Sequence, residues 1–187
     1  MRRTWLYLVA VILIAAAAIV AVIAVRNFME HKDIPAQSSK TLITKPAKAC
    51  RIFTLPDAKK LLGESAKGGT NPAYTSSADL DVSTCSYSQG QGTSAAVSSL
   101  RSATLLLREP KSASGSSSNR NQFGPLRPQN SQDVSGYGDS AYWDTQHGQL
   151  NILKNDKWYI LSFGPVTPAN RTLEHTRQLA DLLIIRM

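Results

Sequence analysis

The first apolar stretch of the chain runs from Trp5 to Val25 without a charge, a glycine or a proline. As a helix rising ~1.5 Å per residue it would be roughly 31 Å long, matching a bilayer core of about 30 Å, so the pattern predicts a transmembrane helix. Arg2 and Arg3 precede it, and Trp5 and Tyr7 stand where amphipathic rings favour the polar boundary, which predicts that residues 1–25 are a cytoplasmic stub followed by the transmembrane helix, with the N-terminus inside. A cleaved signal peptide processed near Val22 and Ala24 is the alternative; its apolar region would be shorter, about 7–15 residues. From Arg26 to Ala49 no apolar period survives, and Pro35, Pro46 and the Gln37-Ser38-Ser39-Lys40 stretch read as a flexible linker over 26–49.

Residues 50–187 carry the pattern of an α+β domain. Thr54 caps a short helix with Pro56 and Asp57 in its first turn and Gly63 at its end; Leu55, Ala58, Leu61 and Leu62 form its apolar face. Ser83 to Ser88 alternates as a strand, Ala103 to Arg108 reads as an interior strand, and Gln89 to Gly92 as a turn between them. Ser112 to Ser131, rich in Ser, Gly, Asn and Pro, is expected to be a long, exposed, mobile loop, since it offers little apolar area against the entropy of ordering. Asp139–Asp144 and Gln149–Leu153 read as strands, and Lys154-Asn155-Asp156-Lys157 turns the latter into Trp158–Phe163, whose two faces are both apolar enough to be buried. Pro165 and Pro168 break the pattern. Asn170 is then expected to cap a last helix, Arg171 to about Arg186, with Leu173, Thr176, Leu179, Ala180, Leu182 and Leu183 as its stripe. This order predicts a mostly antiparallel sheet flanked by a short N-terminal helix and a C-terminal helix.

Composition narrows the class. A net charge of +8 is spread over linker and domain, not clustered along one face, so nucleic acid is not an expected partner. The same basicity favours weak attraction to anionic lipid or to a cell-wall polymer. Hydrophobic content of 42% with a mean hydropathy of −0.19 excludes both a disordered chain and a polytopic membrane protein.

Two cysteines, Cys50 and Cys85, and three histidines leave no set of ligands for a metal centre, and no cofactor motif is present. A single cysteine pair behind an apolar N-terminal segment fits one disulfide in an oxidising exterior, with the domain outside the cytoplasmic membrane. Lys48-Ala49-Cys50 does not read as a lipidation site. Ala17 and Ala21, four apart, explain themselves as lipid-facing helix, but they would also let two such helices pack closely as a homodimer.

Candidate chemistry concentrates in Gly136-Tyr137-Gly138-Asp139-Ser140-Ala141-Tyr142-Trp143, followed by His147. The order is neither the G-x-S-x-G of a nucleophile elbow nor a phosphate-binding G-x-G-x-x-G opening a helix. It reads first as a tight turn in which Asp139 bonds local amides while Tyr142 and Trp143 alternate between core and surface. Tyr137, Asp139, Tyr142, Trp143 and His147 form the expected ligand surface. The enzymatic alternative is a membrane-tethered serine hydrolase using Ser140, His147 and Asp139 or Asp144, which needs hydroxyl and imidazole within about 3 Å. A pilin-like assembly subunit is a third class, without a processing motif before the apolar helix.

Several short motifs together resemble a large group of small bacterial extracytoplasmic domains of unassigned function, many of them lipoproteins. They are Cys50 before Leu55, Ala58, Leu61, Leu62 and Gly63; Cys85 before Tyr87; Val134, Gly136, Gly138, Asp139 and Ala141 in V-x-G-x-G-D-x-A; and Leu179, Ala180 and Leu183 in a C-terminal helix. The resemblance covers about Cys50 to Arg186. It implies an α+β domain, an anchor and a disulfide, and it assigns no catalytic residue. The chain departs from the group in carrying an apolar helix where a lipidated cysteine would serve. These readings converge on a bitopic protein that displays a binding or interaction domain, with the lipid bilayer and an envelope protein or wall polymer as partners.

Overall fold

The computed structural model of the chain describes residues 48–69, 74–90 and 100–187. The predicted span Trp5–Val25, the linker up to residue 47 and part of the predicted Gln89–Gly92 turn lie outside them. Among the described residues no helix is long and apolar enough to cross a membrane.

The described chain runs α1 (Lys48–Ile52), α2 (Leu55–Leu62), β1 (Lys67–Gly68), β2 (Tyr74–Ser76), β3 (Leu80–Ser88), β4 (Arg101–Pro110), α3 (Ala113–Phe123), β5 (Gln132–Asp133), β6 (Ser140–Asp144), β7 (Gln149–Lys154), β8 (Lys157–Pro165), a 3-10 turn (Pro168–Asn170) and α4 (Leu173–Leu183). All strands join one antiparallel sheet in the order β1-β3-β4-β8-β7-β6-β5, with β2 also pairing with β3. The expected α+β class, with a flanking helix near each end of the domain, is present. Short strands blunt both margins of the sheet, which limits edge-to-edge association.

The sheet is covered on both faces because β8 is apolar on both. Tyr159, Leu161 and Phe163 point into the main core with Leu105, Leu150, Leu179 and Leu183, while Trp158 points the opposite way and packs with Phe123 and Tyr142. Helices α1, α2 and α4 cover the first face, and α3 covers the second. The β7–β8 hairpin forms through Asn155 (φ 51°) and Asp156 (φ 63°), the left-handed pair that a two-residue turn of this type demands.

Local rules account for the first helices. Asp57 is buried in the first turn of α2 and accepts the amide of Thr54 at 3.1 Å and its hydroxyl at 2.6 Å. Gly63, at φ 86°, ends the helix as expected. Leu55 was expected on the apolar face but is 40% exposed; Ala58 and Leu62 carry the packing, and the stripe is one residue narrower. Helix α1 takes in Lys48 and Ala49, which composition alone would leave in the linker. Ala49 is fully buried and donates its amide to Ser83 Oγ at 3.1 Å. Asp81 and Glu109 face each other across β3 and β4, and Lys48 sits between them at 3.3 and 2.6 Å. Its hydrogen bond to Glu109 is the main reason its ammonium is held above the ordinary value.

Three expectations are corrected. Residues 112–131 are not a long loop: most of the first half is helix α3. Its Ser112 cap accepts the amide of Gly115 at 3.1 Å, Phe123 is buried, and Asn119 is fully buried with its amide donating to Arg108 O at 3.0 Å and Asp156 O at 2.7 Å. The helix is held by polar bonds and one aromatic anchor, which a compositional estimate of burial does not register. Thr172, not Asn170, caps the last helix by accepting the amide of His175 at 3.2 Å; Asn170 closes the preceding 3-10 turn, and the helix ends near Leu183. Tyr142 and Trp143 do not alternate between core and surface: both are buried, at 3% and 5%, because α3 roofs the face that would otherwise be solvated.

Candidate functional site

The predicted ligand residues are dispersed by the fold. Gly138, at φ 57°, lies where a Cβ would run into the carbonyl of Leu153, and Asp139 donates its amide to that carbonyl at 2.7 Å. Asp139 Oδ2 then accepts the amide of Asn155 at 2.9 Å, so the glycine-rich string clamps the β7–β8 turn. Val134 and Ala141 of the same motif are buried. The phenol of Tyr137 donates to Asp181 Oδ1 at 2.7 Å and, mainly through burial, is pushed up to about 12. Tyr142 lies under α3 with its ring 5.0 Å from that of Phe123, and Arg127 stacks on it at 5.2 Å. Its phenol is likewise pushed up to about 12, chiefly by burial. Trp143 belongs to the main core.

Of the five, His147 is the one whose ring is exposed, with its side chain 56% accessible, while Tyr137 is half-buried. It sits in the turn between β6 and β7. Asp144, buried at the end of β6, accepts the amides of Gln146 at 2.9 Å and His147 at 3.0 Å with Oδ1, and faces His147 Nδ1 at 2.6 Å with Oδ2. This contact favours the tautomer protonated on Nδ1 and turns Nε2 outward. Ser140 stands at the opposite end of the five-residue strand β6, roughly 13 Å away at ~3.3 Å per residue, so the hydroxyl and imidazole of the hydrolase alternative are not brought together. Asp139 is committed to the hairpin turn and does not join them.

The turn carrying His147 is pressed against the segment before α4. A Cβ on Gly148, itself at φ 60°, would lie 2.6 Å from Pro168 O and 2.8 Å from Arg171 Cβ. Arg171 bends back to donate from Nε to Pro165 O at 3.0 Å and from Nη2 to Val166 O at 3.1 Å. Burial holds its guanidinium below the ordinary arginine value. Arg101 is directly opposite Pro165 in the β4–β8 register, and its guanidinium lies 4.5 Å over the ring of Phe163. The ring of His175 lies 6.2 Å from the same phenyl, and its buried Nδ1 has no hydrogen-bond partner. Two guanidiniums and an imidazole therefore gather around Phe163–Pro165 at one end of the sheet.

Nothing in the sequence announced this group, because Arg101 lies far ahead of Arg171 and His175 in the chain and reaches the same end of the sheet only through β4–β8 pairing and the turn into α4. One signal was available. Arg171 and His175 flank the start of a helix, where the dipole disfavours cations. Among the described residues no three His, Cys, Asp or Glu side chains gather as metal ligands. Comparison with protein-family models, curated proteins and solved structures returned no match.

Proposed function

We propose that the protein is a single-pass, membrane-anchored binding or interaction domain displayed outside the cytoplasmic membrane, N-terminus inside. The observation that carries this reading is the cysteine pair. Cys50 in α1 and Cys85 in β3 are at bonding distance, with Cα atoms 5.0 Å apart, and structural disulfides persist in oxidising compartments. The apolar run Trp5–Val25 supplies an anchor of bilayer length, and the resemblance to small bacterial extracytoplasmic domains points the same way. Binding is favoured over catalysis because Ser140 stands at the far end of β6 from the Asp144–His147 pair and the Thr145 hydroxyl in the same turn is spent on Asn130 O, while the surface beside the pair carries Arg171. Partners of this reading are the lipid bilayer and an envelope protein or wall polymer.

Protease added to spheroplasts of a bacterial expression host is expected to remove a C-terminal epitope and leave an N-terminal one intact. Alkylation before reduction should leave both cysteines unlabelled. A C-terminal epitope digested only in inverted vesicles, together with labelling of both cysteines in unreduced protein, would overturn the proposal.

A further inference from the structure

We propose that the end of the sheet where Arg101, Arg171 and His175 surround Phe163–Pro165 is a binding site for a phosphate group. None of the ion pairs formed among the described residues involves any of the three, whereas Lys48, Lys59, Lys111, Arg120, Arg127, Lys157 and Arg186 each reach a carboxylate. Glu174, in the first turn of α4, is exposed and pairs with none of them. Two guanidiniums are thus held at the same end of the sheet, Arg101 over Phe163 and Arg171 on the Pro165 and Val166 carbonyls, and among the described residues neither has a carboxylate partner. Arg101 is stacked on a fully buried ring, and Arg171 is tied by two carbonyls, which leaves its Nη1 uncommitted. Both are positioned before any ligand arrives, so little side-chain entropy remains to be lost on binding.

The third polar group is an orphan. His175 Nδ1 is buried without a partner and lies 3.8 Å from the position of a Cβ on Gly164, beside Arg171 Cγ at 3.6 Å from the same point. Planar guanidinium forks match phosphate oxygens with charge-assisted hydrogen bonds, and a phosphate carries enough charge to meet two of them. A free phosphate compound and a lipid headgroup share this chemistry.

The proposal rests on the reading as a binding domain but not on its anchoring, so the spheroplast assay and the following titration fail independently. Inorganic phosphate is titrated calorimetrically into the full chain in a neutral detergent, with chloride at matched ionic strength as the reference. Binding is expected to weaken about tenfold or more in Arg101→Gln and in Arg171→Lys, and to be unchanged in Lys60→Gln. Should Arg101→Gln not fold, Arg101→Lys keeps the charge but loses the fork and gives the same readout. Phosphatidylglycerol in phosphatidylcholine nanodiscs that abolishes phosphate binding identifies a lipid headgroup as the occupant. Phosphate binding undisturbed by that lipid identifies a soluble phosphate compound. No binding of either probe, or equal binding in all variants, overturns the site.

Discussion

Arg186 donates to the carboxylate of Asp57 at 2.7 Å across a sequence separation of 129 residues, tying the end of the last helix to the first turn of α2. Burial pushes the Asp57 carboxyl up, but the hydrogen bonds from Arg186 and Thr54 outweigh it and hold the group below its ordinary value of 3.8. A depressed carboxylate contributes stability that is fully present above the unfolded value and lost as pH falls through the folded one. Thermal midpoints should therefore fall below about pH 4. In Arg186→Gln burial is opposed by the Thr54 hydrogen bonds alone, so the fall begins at higher pH and the neutral-pH stability drops by about 1–3 kcal/mol in urea melts. An unchanged acid profile in the variant would show that the pair is idle.

Gly138 and Gly136 give a paired test. Both have positive φ, but a Cβ at Gly138 collides with the Leu153 carbonyl while Gly136 has nothing within 4 Å. Gly136→Ala should cost about 1 kcal/mol of backbone strain, and Gly138→Ala about 2–4 kcal/mol because the Asp139 clamp must also shift. Equal costs would refute the close approach.

Asn119→Ala removes two of the bonds that tether α3 to Arg108 and Asp156, leaving those of Gln122 with Arg108 and of Arg120 with Asp156. Because Asn119 Oδ1 and Arg108 Nε are already buried without partners, the local balance is thin, and the loss is expected to be about 1–3 kcal/mol. The readout is amide hydrogen exchange, with faster exchange confined to α3. Uniform acceleration across the sheet would contradict this.

The phenols of Tyr137, Tyr142 and Tyr159 are each pushed up to about 12, chiefly by burial. Folding keeps them neutral, so the stability they contribute is complete below pH 10 and is lost as pH rises towards 12. Spectrophotometric titration should show these three ionising together with alkaline unfolding. Full ionisation near pH 10 with the near-ultraviolet circular dichroism intact would rule this out.

Where periodicity and turn chemistry carry the information, the sequence is readable: α2 with its Thr54 and Gly63 ends, the Asn155-Asp156 turn, and the doubly buried β8 all follow from spacing. Helix α3 was hidden because Ser112, Asn119 and Phe123 hold it through one cap, one amide and one ring, and none of these leaves a periodic trace. That concealed helix also explains the misplaced aromatic. Tyr142 looks solvent-facing until something is known to lie over it. The candidate ligand string was legible as a string but not as a clamp, because the partner of Asp139 is the amide of Asn155 in another turn. Arg171 and His175 share no motif with Arg101, and only the register of β4 against β8 and the turn into α4 bring all three to one end of the sheet.

The Cys50–Cys85 bond also decides how the domain would bear a mechanical load. Tension drawn along the chain ahead of Lys48 reaches Cys50 almost at once and crosses into the middle of β3. There it is resisted in shear by the whole ladder with β4, from Leu80 opposite Pro110 to Ser88 opposite Ser102. Arg51–Thr84, including α2 with its Arg186 latch, lies inside the covalent loop and off the line of force. Reduction would put that segment in series with the pull, and its short helices would unravel before the sheet felt any strain.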